Sequence, residues 1–335
     1  MAAHRSIGVL GTGAYLPKEE ITNAEIAARF DVTTEWIERK TMIQCRRYAA
    51  PHEATSDLAA KAAEAALDNA GLTAEQVDFL IVSTSTGDHP VPATSCLVQS
   101  LIGADRAACF DLNIACSGFV YALEVARALL ASRPGTHALV VAADLYSRFI
   151  DHDDRSTAVL LGDGAGAAVL GEVAAGGGLR DTDLRGFGSA AELLVIEAGG
   201  SRRPASAETV ADKAHLLRMR GRQVTEFVLG NVPGALTELV ARNGLQPAEI
   251  DHFIPHQANG VMLGKLAQEA GLSWAQLHLT LPRYGNMGSA SVAVTLDDAN
   301  RSGALRDGDL VLLSGFGGGM AMGNCLLRWT AGGAG

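Results

Sequence analysis

The sequence predicts an α/β protein whose two halves repeat one plan. In each half a long helix is followed by an apolar strand, a helix preceded by a reactive side chain, a second apolar strand and a glycine-rich turn. Strands such as 77–84 and 309–314 are apolar at successive positions, which is typical of sheets covered on both faces. The repeat indicates an internal duplication, with one half at 1–172 and the other at 173–335.

In the first half, apolar runs and capping residues define the elements. Helices are expected to begin after Thr22 and Thr33, because Ser and Thr side chains cap helix N-termini. Strands are predicted at 7–10, 77–84, 108–112 and 138–143, and longer helices at 55–70, 94–102 and 120–130.

The second half follows a glycine-rich, charged stretch at 171–190, which is the best candidate boundary. Strands are predicted at 250–255, 309–314 and 322–329, and helices at 225–243, 260–270 and 289–300.

Two glycine motifs imitate nucleotide-binding loops. Gly11-Thr12-Gly13 follows a strand, but Leu16 replaces the third glycine and Pro17 opposes a helix, so a nicotinamide site is not expected. The run 162–167 lacks the Lys-Ser/Thr pair of a phosphate loop, and we interpret its glycines as close packing of a strand against neighbouring backbone.

Composition excludes several classes of protein. The chain has 335 residues, 48% of them hydrophobic, and a net charge of −10 without a long basic run, so nucleic acid is not an expected partner. Five cysteines without a CxxC pair indicate neither a disulfide framework nor a metal site. No apolar run could span a bilayer, and we expect a soluble, cytoplasmic protein that needs no membrane and no cofactor.

Cys116 lies where a strand is predicted to turn sharply into an apolar helix. A thiol at a helix N-terminus meets free N–H groups and the positive end of the helix dipole, which lower its pKa and favour the nucleophilic thiolate. Alone, such a cysteine is more often a structural core residue.

Two further strand ends carry residues suited to the same chemistry. His256 and Asn286 can together donate two hydrogen bonds to one carbonyl oxygen, which stabilises an enolate or oxyanion. The glycines at 317–319 allow a backbone N–H to approach a thioester closely. A buried structural histidine, a turn asparagine and packing glycines are the alternatives, but their common position at strand ends favours a catalytic site.

The densest basic group comprises Arg39, Lys40, Arg46 and Arg47. It is either a solvated surface or the mouth of a site for a phosphate-bearing substrate. Trp36 nearby is either a packing residue or a stacking platform.

At these residues the chain resembles the β-ketoacyl-(acyl carrier protein) synthase III family of the thiolase superfamily, over about residues 7–329. The motifs that carry the resemblance are Glu35-Trp36-Ile37 with Thr41 and Ile43, Ala115-Cys116-Ser117-Gly118-Phe119, Gly162-Asp163-Gly164-Ala165-Gly166-Ala167, Pro255-His256-Gln257-Ala258-Asn259, Gly285-Asn286 and Phe316-Gly317-Gly318-Gly319. The resemblance implies a thiolase-like five-layer αβαβα sandwich of two duplicated halves, a homodimer, and a catalytic triad of Cys116, His256 and Asn286.

The resemblance also implies a two-step reaction. Cys116 would accept an acyl group from acyl-CoA, with its own N–H and that of Gly318 holding the oxyanion. A malonyl thioester, normally on acyl carrier protein, would then lose CO2 beside the apolar wall of Phe316. The residues implied for CoA binding are Trp36 and Arg155 at the adenine, and Thr41, Gly221 and Asn259 along the pantetheine channel.

Several positions depart from the family pattern. Met42 replaces a glycine, Met287-Gly288 and Met320-Ala321-Met322 differ from the usual residues, and Val91 stands at the acyl-pocket position that is donated across the dimer. These changes favour a roomier acyl pocket. Gly260-Val261 and Glu226 replace basic residues that attract acyl carrier protein, so the acceptor could be docked differently or be another thioester.

Three alternatives to a condensing enzyme remain open at this point. One is an acyltransferase of the same type that moves the acyl group to another acceptor without condensation. Another is a papain-like cysteine protease, because Cys116 and His256 are 256 − 116 = 140 residues apart, although that family's cysteine signature is missing. The last is a non-catalytic binding protein.

Overall fold

A computed structural model describes residues 5–330 of the chain. Its strands are β1 (Ile7–Tyr15), β2 (Glu19–Thr22), β3 (Cys45–Tyr48), β4 (Phe79–Ser83), β5 (Ala108–Leu112), β6 (Ala138–Leu145), β7 (Asp163–Glu172), β8 (Gly178–Gly186), β9 (Leu194–Val195), β10 (Arg218–Met219), β11 (His252–Pro255), β12 (Gln276–Leu277), β13 (Leu310–Gly317) and β14 (Ala321–Arg328). Its helices are α1 (Asn23–Ala27), α2 (Thr34–Thr41), α3 (Thr55–Ala70), α4 (Thr94–Ile102), α5 (Gly118–Ala131), α6 (Arg155–Ala158), α7 (Ala207–Ala211), α8 (Gly221–Arg242), α9 (Gly260–Glu269), α10 (Leu281–Tyr284) and α11 (Ala290–Arg301).

Two five-stranded sheets of identical topology form the framework. Their strand orders are β1-β7-β6-β4-β5 and β8-β14-β13-β11-β12. In each sheet the first strand pairs antiparallel with the last, the last pairs antiparallel with the fourth, and the other two pairings are parallel. This shared topology confirms the predicted duplication. The predicted division after residue 172 falls between β7 and β8.

The sheets and helices stack in five layers. Helices α3 and α4 cover the outer face of the first sheet, and α8 and α9 cover the outer face of the second. Helices α5 and α11 lie between the sheets and share one core with both. The αβαβα sandwich is therefore confirmed, and it places α5, which follows Cys116, at the centre. No helix within residues 5–330 has the length and apolar character needed to cross a membrane.

Glycines bring strand and helix backbones into direct contact. A Cβ atom at Gly13 in β1 would lie 2.3 Å from the backbone nitrogen of Ala66 in α3. A Cβ atom at Gly166 in β7 would lie 2.6 Å from the backbone nitrogen of Val294 in α11. The glycines of both imitation nucleotide motifs thus serve close packing, which confirms that interpretation of the run 162–167.

For Arg46, the interpretation of the basic group at 39–47 as either a solvated surface or the mouth of a substrate site is wrong. Its side chain is fully buried, and its guanidinium donates to the carbonyl oxygens of Ile21 and Val159 and to Oδ1 of Asn23 at 3.0–3.2 Å. Burial lowers the pKa of Arg46. The charge holds β3 to its surroundings, and no local pattern indicates this because the contacts join segments that are distant in the chain.

We expect Gly13→Ala to destabilise the protein by about 2 kcal/mol or more, because the added methyl group meets backbone that cannot turn aside. Gly186→Ala, in a strand position where a Cβ atom would meet nothing within 4 Å, is the matched control and should change stability by less than about 0.5 kcal/mol. Urea unfolding of both variants measures the difference. Equal effects would contradict the packing argument.

Candidate active site

Cys116 sits in a tight turn between β5 and α5. The turn is a single 3-10 element, Ala115–Ser117, and Ala115 adopts a left-handed φ of 47°. The Ser117 hydroxyl donates to the carbonyl of Ala321 in β14 at 3.0 Å, which ties the turn to the second sheet. A Cβ atom at Gly118 would lie 1.8 Å from Oγ of Ser83, so a larger residue at the start of α5 would displace the Ser83 hydroxyl. The predicted strand-to-helix turn is confirmed.

The expected lowering of the Cys116 pKa is wrong. Burial raises the pKa of the thiol to about 12, and the nearby charge of Asp144 acts in the same direction. The backbone N–H groups of Cys116 and Gly318 favour the thiolate, but they do not outweigh burial. The thiol is therefore protonated at neutral pH, and its proton must be removed during the reaction.

Glycines bring β13 directly onto the thiol. A Cβ atom at Gly317 would lie 3.0 Å from Sγ of Cys116, and the N–H of Gly318 interacts with the same sulfur. The two N–H groups proposed for the oxyanion, those of Cys116 and Gly318, therefore both lie at the reactive sulfur. No side chain stands between β13 and an acyl group on Cys116.

His256 follows directly after β11. Its backbone N–H donates to the carbonyl of Ser314 at 2.7 Å, and its ring packs edge-to-face on Phe316 with centroids 5.5 Å apart. The side chain is buried, which lowers the pKa of His256 to about 3, although the Gly288 backbone favours the protonated ring. The imidazole is neutral at physiological pH. It can therefore donate one hydrogen bond and accept one proton.

Asn286 is held by the first half of the chain. Its backbone N–H donates to the carbonyl of Leu160 at 2.8 Å, and its own carbonyl accepts the N–H of Gly162 at 2.9 Å. Its side-chain Oδ1 accepts the N–H of Gly288 at 3.0 Å. With the oxygen engaged in this way, the NH2 group is the end of the amide that can donate to a ligand.

One cavity of about 930 Å³ brings these residues together. The predicted site residues that line it are Trp36, Cys116, Arg155, Gly221, His256, Asn259, Asn286 and Phe316. Much of the remaining wall is aliphatic, formed by Leu160, Leu161, Leu194, Leu217, Met219 and Leu229. The combination of an apolar wall with a few convergent polar groups suits a hydrocarbon chain attached to a reactive thioester.

The outer part of the cavity is cationic. The guanidinium of Arg155 lies 5.1 Å from the centroid of the Trp36 ring, so the two form a cation–π pair. Lys40 and Lys265 line the same cavity, and neither they nor Arg155 has an ion pair within the described residues. Of the predicted basic group, Lys40 alone reaches this mouth, since Arg47 pairs with Glu20 and Arg46 is buried.

Three predicted residues do not line this cavity: Gly318, whose N–H nevertheless reaches the sulfur of Cys116, Thr41 and Val91. The Thr41 hydroxyl donates to the carbonyl of Ile37 at 2.7 Å and accepts the N–H of Ile43 at 3.0 Å, and it borders an adjoining cavity of about 400 Å³. Its observed contacts are those of a helix end. Val91 is 84% exposed and away from the cavity of its own chain, so its predicted role depends on a second copy.

Two departures from the family pattern compensate each other. Met42 ends α2 with a left-handed φ of 64°, a conformation that costs a non-glycine residue about 1 kcal/mol. A Cβ atom at Gly260 would lie 2.6 Å from Sδ of Met42. The glycine at 260 therefore makes room for the methionine at 42.

The sequence interpretation missed Asp144, Tyr146 and Ser289. Tyr146 lines the cavity, while Asp144 and Ser289 are buried and hydrogen-bonded to each other behind it. One signal was available: Asp144 is a single acid directly after the apolar run 138–143, at the end of a buried strand. Within residues 5–330 no group of three or more His, Cys, Asp or Glu side chains could hold a metal ion.

Comparison with known proteins identifies the family. Residues 110–200 match the family 3-oxoacyl-(acyl-carrier-protein) synthase III, and residues 240–329 match its C-terminal family. Acetoacetyl CoA synthase NphT7 of Streptomyces sp. strain CL190 is 46% identical, over 96% of this chain and 98% of the relative. The β-ketoacyl-(acyl-carrier-protein) synthase III of Caldanaerobacter subterraneus subsp. tengcongensis is 41% identical, over 96% and 98%.

Solved structures agree with this result. The 3-oxoacyl-(acyl-carrier-protein) synthase III of Aquifex aeolicus VF5 superposes with a TM-score of 0.89 and 34% identity, over 96% of this chain and all of the other. The priming β-ketosynthase of the R1128 polyketide pathway gives a TM-score of 0.90 and 34% identity, over 98% and 97%.

The chain is a condensing acyltransferase of the thiolase fold, and it belongs to the 3-oxoacyl-(acyl-carrier-protein) synthase III family. The predicted resemblance and fold are confirmed. The papain-like protease and the non-catalytic binding protein are thereby wrong.

Because burial keeps the thiol protonated, we expect alkylation of Cys116 by iodoacetamide to be slow at pH 7 and to rise through pH 10 without reaching a plateau. Peptide mapping by mass spectrometry follows this residue separately, and the exposed Cys96 reports reagent quality in the same sample. A plateau below pH 9 would show that the helix end and the two N–H groups outweigh burial.

Proposed function

We propose that this enzyme loads an acyl group from acyl-CoA onto Cys116 and joins it to a malonyl thioester by decarboxylative condensation. The observation that carries the proposal is the single cavity, which contains a nucleophile, two donors for one carbonyl oxygen and an apolar wall. Such a reaction starts a fatty acid or polyketide chain from two thioesters. A cytoplasmic location belongs to the same proposal, because all five cysteines are free thiols.

In the first step the sulfur of Cys116 attacks the thioester carbonyl of acyl-CoA. The thiol proton passes to neutral His256, the base that shares the cavity, and from there to the departing CoA thiolate. The N–H groups of Cys116 and Gly318 stabilise the oxyanion of the tetrahedral intermediate. The acyl chain then lies against the aliphatic wall.

In the second step the malonyl thioester enters with its carboxylate toward Phe316. The apolar ring disfavours the charged carboxylate, while the His256 ring and the Asn286 NH2 group donate to the thioester carbonyl. The bond to CO2 breaks, and its electron pair forms the enolate. The enolate carbon attacks the acyl carbonyl, Cys116 leaves as thiolate and is reprotonated, and a β-ketoacyl thioester departs.

The cationic mouth supports a CoA thioester as the donor. Trp36 and Arg155 are proposed to flank the adenine, with the guanidinium moving off the Trp36 ring to admit it, and Lys40 and Lys265 offer charges to the phosphates of CoA. Gly221 and Asn259 lie along the route from this mouth to Cys116 and are proposed to contact the pantetheine arm. The acyl-CoA substrate replaces any separate cofactor.

Intact-protein mass spectrometry after incubation with acyl-CoAs of increasing length tests the first step. We expect an acyl adduct on the wild type and none on Cys116→Ala, with the preferred length reporting the size of the pocket. Malonyl-CoA or malonyl carrier protein is then added, and release of CO2 and the β-keto product is measured.

The variant Asn286→Ala separates condensation from simple acyl transfer. It should still acquire the acyl group but lose decarboxylation about 100-fold or more, because one of the two enolate donors is removed. If product forms from the acylated variant at the wild-type rate without loss of CO2, acyl transfer to a non-malonyl acceptor replaces the proposal.

Acyl carrier protein is proposed as an acceptor partner, but the mouth favours a free CoA thioester. Arg222 at the rim is neutralised by Glu226 at 2.8 Å, and Val261 exposes an apolar side chain beside it. An acidic carrier protein gains little electrostatic attraction from this part of the rim, while Lys40, Arg155 and Lys265 further in serve the phosphate groups of either thioester. The Streptomyces relative is likewise named for a CoA product.

We therefore expect kcat/KM for malonyl-CoA to equal or exceed that for malonyl carrier protein. Glu226→Lys should raise kcat/KM for the carrier protein about threefold to tenfold at low salt, since it frees Arg222 and adds a charge. Its effect on malonyl-CoA should be smaller, and Glu226→Gln is the control that removes one charge only. A wild-type preference of more than tenfold for the carrier protein would contradict the argument.

We also propose that two copies pair along β5. This strand is the edge of the first sheet and leaves one side unpaired, and it exposes Phe110 close to the exposed Leu101 of α4. An unprotected apolar edge is suited to pairing with a second strand. In that dimer, Val91 is proposed to reach the acyl end of the other copy's cavity.

Light scattering after size exclusion tests this pairing. We expect a dimer for the wild type and a monomer for Phe110→Asp, because a charge on the shared edge opposes association. Trp274→Asp removes an equally apolar side chain, 84% exposed and away from β5, and should leave the dimer intact. A dimer that survives Phe110→Asp unchanged would place the interface elsewhere.

A further inference from the structure

We propose that Asp144 is a positioning residue for the decarboxylation step, because its carboxylate fixes the loop that aims the Asn286 amide. The proposal deepens the condensing function proposed above and rests on it. Asp144 is completely buried in β6 and does not line the cavity. Its role is therefore exerted through other residues.

Five donors converge on the two oxygens of this carboxylate. Oδ1 accepts the N–H of Ser85 at 2.8 Å and the hydroxyls of Thr86 and Thr84 at 3.1 and 3.3 Å. Oδ2 accepts the N–H and the hydroxyl of Ser289 at 2.7 and 2.8 Å. One group thus joins the loop after β4 to the N-terminus of α11.

The hydroxyl protons of Thr84 and Thr86 are committed to Asp144, while that of Ser289 is shared with the carbonyl of Ser83 at 3.1 Å. Thr84 Oγ1 accepts the N–H of Thr86 at 3.0 Å, and Thr86 Oγ1 accepts the N–H of Leu145 at 2.8 Å. With their oxygens already accepting, these hydroxyls donate to the carboxylate. Burial raises the pKa of Asp144, and the hydrogen bonds to the carboxylate oppose that effect. Because the surrounding groups act as donors, the carboxylate is ionised.

Ser289 connects this anchor to the catalytic amide. It is adjacent to Gly288, whose N–H donates to Oδ1 of Asn286 and so selects which end of the amide is free. Gly288 adopts a left-handed φ of 56°, and a Cβ atom there would lie 2.4 Å from Oδ2 of Asp144. The carboxylate and the glycine are therefore packed against each other, and a shift of one moves the other.

The same charge has the opposite effect on Cys116. The negative carboxylate disfavours the thiolate, so its removal makes the sulfur easier to deprotonate. Loading of Cys116 does not use Asn286. A variant without the charge should therefore lose decarboxylation while keeping, or improving, the loading step.

The test measures both half-reactions on the full-length enzyme. Loading is followed as the acyl adduct by rapid-quench mass spectrometry with the acyl-CoA that the wild type prefers. Decarboxylation is followed as conversion of malonyl-CoA to acetyl-CoA without an acyl donor. The variants are Asp144→Asn and Ser289→Ala, and Asp163→Asn is the matched control.

Asp163 is a second buried carboxylate with three donors, the N–H groups of Ala49 and Ser147 and the Ser147 hydroxyl at 2.6–2.8 Å. It has no contact with Ser289. The variant Asp163→Asn therefore measures how much the removal of any buried charge lowers the two half-reaction rates.

We expect Asp144→Asn to slow decarboxylation about 10-fold to 100-fold, which is typical for a misplaced catalytic group, and to leave loading within threefold or faster. Ser289→Ala keeps the backbone donor and should slow decarboxylation about threefold to tenfold. Asp163→Asn should affect both half-reactions equally. Thermal melting establishes that each variant is folded.

The positioning role would be overturned if folded Asp144→Asn lost both half-reactions equally. It would also be overturned if decarboxylation were unchanged in both Ser289→Ala and Asp144→Asn. If Asp144→Asn does not fold, the split in Ser289→Ala decides. A wild type that loads no acyl group and decarboxylates no malonyl thioester would instead overturn the proposed function itself.

Discussion

Direct contact between backbones, at places where no side chain can fit, is the constraint on which the structure depends. Strand β1 touches α3 at Gly13, and β7 touches α11 at Gly166. Around Cys116, glycines at 118 and 317 also allow close approach, there against the side chains of Ser83 and of Cys116 itself. Because the contacts at Gly13 and Gly166 involve main chain, they cannot be relieved by a rotamer change. The positions of sheets, central helices and reactive thiol are therefore set together.

The active site is assembled from both halves, and each half holds the catalytic residues of the other. The turn of Cys116 is tied to β14 through Ser117, and the loop of Asn286 is tied to the segment before β7 through Leu160 and Gly162. His256 is aligned along β13 by its bond to Ser314. If the two halves separated, Cys116 would no longer lie beside His256 and Asn286. The two duplicated halves therefore work only as one unit.

Burial keeps the reactive thiol and imidazole uncharged in the resting enzyme. The thiol of Cys116 is protonated and the ring of His256 is uncharged, because the charged form of either group would lack hydration in the buried site. Charge then arises only when a thioester is present and the oxyanion donors are engaged. This arrangement limits side reactions of the cysteine between turnovers.

Most of the fold could be predicted from the sequence, since apolar periodicity and caps are local signals. Helices α3 and α4 and strand β5 have the expected bounds, while β1 extends along β7 to Tyr15 and β6 extends to Leu145, directly before Tyr146 of the cavity. Cys116 and His256 follow strands β5 and β11 as expected, whereas the expected position of Asn286 at a strand end is wrong, because it follows helix α10. The burial of Arg46, the raised pKa of Cys116 and the anchor at Asp144 depend on distant segments, and no local pattern encodes them.

The aliphatic wall has a consequence for how such enzymes diversify. The side chains of Leu194, Leu217 and Leu229 line the cavity of the triad without carrying a reactive group, and they lie on different segments from the triad. Mutations among them can lengthen, shorten or branch the starter unit while the reactive centre is inherited intact. A lineage can thus acquire new natural products by drift along one wall, with every intermediate generation retaining a working catalyst.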